Sequence, residues 1–265
     1  MLMRRLALVC LALTASLVGY LASAEDRGPW PSDVFNPKPR PNIAGEFDYY
    51  TLVMSWSPTH CLSAESGRDD TQCARSDGMR YGFVLHGLWP QYERNYPLSC
   101  RTGWRPFVPE TVIRDMLDIM PSRGLVIHEY KAHGTCSGLR PNDYYRLSRL
   151  LFSRIKIPKR YQNPMETQFV SPRNLVDEFI AVNPGLKPDM ISVTCGRSGD
   201  RLLDVRICMT RDGRVRACGQ NERNSCRARR LYVPPVRSRW HSERMPPRAK
   251  SEPTLRPRVL ESPAP

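Results

Sequence analysis

The sequence predicts an α+β fold: a central antiparallel sheet with several packed helices, held by disulfides as a single domain. Three observations carry that prediction. Short β-branched and aromatic runs alternate with segments of helical periodicity. Asp212-Gly213 is a two-residue hairpin signal, and it places Cys208 within one residue of facing Cys218 across the two arms. Eight cysteines remain once an amino-terminal leader is set aside, and an even number in an exported chain suits four disulfides. Mixed element order with antiparallel hairpins is the α+β pattern.

Residues 1–24 read as a secretory signal peptide. Arg4 and Arg5 supply the positive start, residues 6–21 are apolar, and Ala22-Ser23-Ala24 is a small-residue cleavage site. The apolar stretch is short for a membrane span, and charged, Pro-rich chain follows it. An uncleaved anchor is the alternative; cleavage implies export to the periplasm or the medium with no stable membrane insertion. Cys10 leaves with the leader. Residues 25–45 read as an extended lead-in, 46–232 as the globular domain, and 233–265 as a disordered basic tail rich in Pro and Arg.

Within the domain, residues 47–56 read as a buried strand ending at Ser57-Pro58, and 81–86 as a second. Residues 109–120 have helical periodicity between Pro109 and Pro121. Residues 128–136 fit a helix, 142–155 a longer one, and Ser171-Pro172 caps a fourth that runs to Val182 and is closed by Asn183-Pro184-Gly185. Residues 190–194, 202–209 and 214–217 read as strands.

Charge is unevenly spread. Lys and Arg exceed Asp and Glu by 14; the leader holds 2 of that excess and residues 227–265 hold 7, leaving 5 for residues 25–226. The body is moderately basic. The tail is either a solvated, dispensable end or an electrostatic arm for RNA or an anionic envelope.

Candidate chemistry gathers in two segments, FVLHGLWP at 83–90 and HEYKAHGTC at 128–136, which hold three of the five histidines. The second invites comparison with H-E-x-x-H, whose histidines lie four apart and share one zinc. Here His128 and His133 are five apart, about 140° around a helix. That spacing disfavours a shared metal, and no closely spaced cysteine pair offers another zinc site. It does form a continuous wall: with His128 at 0°, Ala132 lies near 40°, Glu129 near 100° and His133 near 140°. His86, at the end of a strand facing that wall, completes an acid–base pair. Two imidazoles with pKa values near 6.5 suit cleavage of RNA by its own 2′-hydroxyl, which needs no serine, cysteine, metal or other cofactor.

Together the two segments closely resemble the active-site motifs of the ribonuclease T2 family, a family of secreted endoribonucleases, and residues 47–58 resemble that family's first core strand. The resemblance covers roughly residues 45–226 and suits a bacterial member. It implies His133 as general base, His86 as general acid, His128 as the phosphate-binding histidine and Glu129 as the acid that assists at the phosphorane. Trp89 matches a base-stacking aromatic and Gln91 a position involved in base preference. The implied disulfides are Cys61–Cys73, Cys100–Cys136, Cys195–Cys226 and Cys208–Cys218, the last agreeing with the hairpin. The implied partner is single-stranded RNA, acted on by a monomer.

The family's lysine immediately before the second histidine of this segment is Ala132 here. Lys131 lies about 100° from that direction. A weaker enzyme, one whose cation comes from an arginine elsewhere, and a catalytically impaired RNA- or envelope-binding homologue all fit the departure. Ala132→Lys is expected to raise the rate unless that charge is already supplied.

Overall fold

A computed structural model describes residues 40–62, 71–73, 80–196, 199–223 and 226–236. The expected leader, most of the lead-in and residues 237–265 of the expected tail lie outside the described residues. Four strands, β1 (Tyr49–Trp56), β2 (Phe83–Gln91), β4 (Ile191–Cys195) and β5 (Leu202–Met209), form an antiparallel sheet in the order β2-β1-β5-β4. Five α-helices accompany it among the described residues: α1 (Ser57–Cys61), α2 (Glu110–Met116), α3 (Arg123–Ala132), α4 (Pro141–Arg154) and α5 (Pro172–Val182). The α+β expectation holds, and all four implied disulfides are formed. No helix among the described residues is long and apolar enough to cross a membrane.

The sheet has two chemically different faces, because successive side chains on a strand alternate. Tyr50, Leu52, Met54 and Trp56 of β1 share one face with Val205 and Ile207 of β5, all nearly inaccessible in the apolar core. The other face carries Thr51 and Ser55, paired across β1 and β5 with Cys208 and Asp204, and Val53 paired with Arg206. Of the catalytic candidates, His86 belongs to this polar face.

Several boundaries differ from those expected. β2 runs on to Gln91 rather than stopping at His86, since it is the sheet's edge strand and an edge tolerates Pro90. Residues 214–217 form no strand; one isolated bridge, Met209 to Val215, closes the Asp212-Gly213 turn, where Gly213 has φ +82°. A short pair was not foreseen, β3 (Gln168–Val170) against β6 (Leu231–Val233). Body structure therefore crosses the expected tail boundary: Val233 and Val236 are buried, and the Trp56 indole donates to the Pro234 carbonyl at 3.0 Å.

Candidate active site

His86 reaches the polar face through a β-bulge. Between Val53 and Met54, β1 advances one residue while β2 advances two, from Gly87 to Leu85, so His86 is the extra residue. A bulge resets the alternation. Leu85 and Leu88, three apart, both point into the core, while His86 and Trp89, also three apart, come together with ring centroids 5.2 Å apart and nearly perpendicular planes.

The opposite wall comes from α3 and its end. Ser122 caps the helix, its hydroxyl accepting from the Leu125 N–H at 3.3 Å. Glu129 is buried, and His128, one residue earlier, is exposed. The expectation of one helix over 128–136 needs correction. α3 ends at Ala132; His133 is its C-cap at φ −118°, ψ −45°, and a 3-10 turn follows over Gly134–Ser137. His133 still donates its N–H to the Glu129 carbonyl at 2.9 Å, but the Cys100–Cys136 bridge holds the tightened turn behind it.

Trp89 joins the two walls. Its indole N–H donates to Glu129 Oε2 at 2.7 Å, and its ring stacks on His133 with centroids 4.7 Å apart and planes 23° from parallel. Glu129 Oε1 lies 3.6 Å from His86 Nε2. Gly87 permits this crowding: a Cβ there would collide with Glu129 Oε2 and Trp89 Nε1. One face of the indole expected to stack on a base is thus covered by His133. Gln91 lies further along β2, paired with Tyr49, and is buried with its Oε1 accepting from Asn221 Nδ2 at 2.8 Å. It is not an amide open to a base on both its groups.

The electrostatics separate the two imidazoles. Burial pushes His133 down, and the neighbouring His86 and His128 push it further, to about 3. Its Nδ1 is buried without a partner. Burial also disfavours the charged form of His86, but Asp204 and Glu129 outweigh it and hold the pKa above the ordinary value, with Arg206 opposing them. Glu129 is raised by burial, against the pull of His86 and Trp89. Asp204 is buried too, yet His86, Arg206 and Ser55 hold it down at about 2. At neutral pH His133 is neutral, and His86 has gained affinity for its proton.

Three residues near the site were not anticipated: Ser55, Asp204 and Arg206. The Arg206 guanidinium lies 5.2 Å from the Trp89 ring centroid, donates to Asp204 Oδ2 at 3.2 Å, and has a buried Nε with no partner. Their signal was the alternation Asp204-Val205-Arg206-Ile207, which marks a polar strand face. Ala132, by contrast, is buried, and Lys131 is exposed. Among the described residues, the cluster with metal-ligand spacing is Cys208, Cys218 and Glu222, and its two cysteines are consumed by their disulfide.

Fold and site together define a disulfide-stapled α+β protein with two histidines packed against one tryptophan beside a buried carboxylate. Residues 47–218 match the model of the Ribonuclease T2 family, and the chain belongs to that family. It is similar to a ribonuclease of Aeromonas hydrophila, 43% identical over 132 residues that make up 50% of this chain and 56% of that protein. A probable ribonuclease of Haemophilus influenzae is 30% identical over 129 residues, 45% of this chain and 47% of that protein. The chain thus spans about half the length of these curated relatives. The solved structure of an RNase-related protein from Calystegia sepium shares the fold, with a TM-score of 0.55 at 21% identity over 72% of this chain and 98% of that one.

Proposed function

We propose that this protein is a secreted endoribonuclease that cuts single-stranded RNA through the substrate's own 2′-hydroxyl, without a metal. The observation that carries the reading is the pair of imidazoles packed against Trp89, His133 held neutral by burial and His86 biased towards its cation by Asp204 and Glu129. His133, held neutral, takes the 2′-hydroxyl proton. The 2′-oxygen attacks phosphorus, the bond to the 5′-oxygen breaks, and His86 Nε2 gives that oxygen its proton, leaving a 2′,3′-cyclic phosphate. In the second step His86 takes a proton from water, the water oxygen attacks phosphorus, the bond from phosphorus to the 2′-oxygen breaks, and His133 returns its proton to that oxygen. The product is a 3′-phosphate. Each positioned acid or base typically contributes about 10²–10⁴-fold.

Glu129, 3.6 Å from His86 Nε2, supports the phosphorane, and His128 at the exposed rim receives the phosphate. Trp89 orients His133 and Glu129 besides any contact with a base. Arg206 supplies the positive charge that the alanine at 132 lacks; such charge stabilises oxygens that become more negative in the transition state.

The test is cleavage of RNA by the purified protein in excess EDTA, with single-stranded DNA in parallel. RNA should be cut and DNA left intact. Loss of cleavage in the chelator, or equal cutting of DNA, sinks the mechanism. His133→Ala separates this reading from that of an impaired binding homologue: it should abolish RNA cleavage and leave no residual turnover above background.

A further inference from the structure

His86 is held from behind by a polar cluster centred on the buried Asp204, which takes no part in the proton transfers described above. Its Nδ1 lies 2.9 Å from Ser55 Oγ. Ser55 in turn donates its hydroxyl to Asp204 Oδ1 at 2.6 Å, and that carboxylate oxygen lies 3.8 Å from the same Nδ1. Asp204 is 2% exposed. Its second oxygen accepts from Thr194 Oγ1 at 3.0 Å and from Arg206 Nη2 at 3.2 Å, and its backbone N–H donates to Thr194 Oγ1 at 3.1 Å. Every donor around this carboxylate suits an ionised acceptor.

We propose that Asp204, acting through the Ser55 hydroxyl, is a positioning residue that fixes His86 as the Nδ1–H form and favours its cation, so that Nε2 carries the transferable proton. The argument begins with a hydrogen count. Ser55 has one hydroxyl hydrogen, and it goes to Asp204. The contact between Ser55 Oγ and His86 Nδ1 therefore needs a hydrogen on Nδ1, and Ser55 accepts it. Nε2 then becomes the nitrogen that gains and loses a proton, on the side that faces Glu129. When His86 is doubly protonated, Nδ1–H stays on Ser55 while Nε2–H leaves with the 5′-oxygen.

The charged groups around the ring divide into two sets. Glu129 from α3 and His133 from its C-cap stand on the reaction side, with Trp89 between them. Asp204 from β5 stands behind, joined to Arg206, whose guanidinium reaches over the Trp89 ring. An RNA phosphate entering the reaction side brings negative charge and rearranges the first set. The buried carboxylate of the second set stays in place through the reaction, so it provides a constant bias towards the imidazolium. An opposite charge at such range moves a pKa by about 1–3 pH units.

The inference rests on the ribonuclease reading for its effect on rate, but its primary test does not need turnover. In the full-length protein, a ¹H–¹⁵N NMR titration of the histidine rings reads tautomer and protonation directly. The expected result is Nδ1–H for neutral His86, with a midpoint that drops by about one pH unit or more in Asp204→Asn and by less in Ser55→Ala. Ser55→Ala removes one hydroxyl and serves if the asparagine variant fails to fold. An Nε2–H tautomer, or midpoints unmoved in a folded variant, overturns the proposal. Kinetics add a second readout: the alkaline limb of kcat should move to lower pH in both variants. A uniform loss of kcat at every pH, with the limb in place, identifies a merely structural role and also overturns it. An NMR shift in a protein that cuts no RNA would instead uphold the positioning and sink the ribonuclease reading.

Discussion

Trp89 lies flat against His133, ring centroids 4.7 Å apart, and ties its indole nitrogen to Glu129. One side chain thus orients both a candidate base and the carboxylate beside it. Trp89→Phe keeps an aromatic face for His133 and loses the hydrogen bond, whereas Trp89→Ala loses both. Steady-state cleavage of RNA should fall roughly tenfold for phenylalanine, the scale of one hydrogen bond to a charged group. Alanine should lower it by about 10²-fold, the scale of a misplaced reacting group. A phenylalanine variant as active as the parent would show that the tie to Glu129 is immaterial.

Activity should form a broad plateau displaced to the acid side. The base must be neutral, so the rate climbs as pH rises through the His133 pKa, held down at about 3. The acid must be protonated, so the rate declines as pH rises through the His86 pKa, which lies above the ordinary 6.5. Measuring kcat/KM from pH 3 to 9 checks both limbs. A narrow bell centred on neutrality would contradict the assignment.

Arg206 should matter more than its distance from the histidine motifs suggests. Removing its charge with Arg206→Ala should lower kcat by about 10²-fold, as losing one preorganised donor to developing charge commonly does. Ala132→Lys alone should then change little, because the charge is already present, yet recover part of the loss in an Arg206→Ala background. A large gain from Ala132→Lys in the parent protein would remove Arg206 from that role.

Breaking the Cys100–Cys136 bridge by serine substitution at both positions should cost stability and rate together. One disulfide contributes about 2–4 kcal/mol, mainly by restricting the unfolded chain. For a domain of this size 3 kcal/mol lowers Tm by about 6–12 °C. The turn carrying this bridge follows directly after His133, so kcat should drop as well. The corresponding change at Cys61 and Cys73, which follow β1 and stand apart from that turn, should lower Tm and spare kcat at temperatures where the fold is intact.

Much of this was legible beforehand, and the misses have physical causes. Helix caps and strand alternation are local signals, so Ser171 and the 202–209 run were placed correctly. His86, His128, Glu129 and His133 stood out because their types and spacing admit few chemistries. The end of α3 at Ala132 was not legible, since a disulfide and a tight turn decide it rather than helix propensity. Gln91 was read by position alone, and its burial against Asn221 depends on a contact 130 residues away in sequence. Ser55, Asp204 and Arg206 escaped for a related reason: they meet His86 only once β1 and β5 pair. The β3–β6 ladder joins segments about sixty residues apart, too short on either side to announce themselves.

The extra residue at position 86 also marks how this sheet could have acquired its chemistry. A regular strand with leucines at one spacing would keep the histidine and the tryptophan on opposite sides, useful to neither. One inserted residue puts the reading of the pleat out of phase and delivers both rings to the same side, while the leucines remain inside. The insertion is a switch in register rather than a new loop, so it leaves the scaffold intact. It also leaves a trace in sequence, two buried leucines three apart in an otherwise alternating strand with a histidine between them. That mismatch of phase is a searchable mark of a sheet turned from packing to proton transfer.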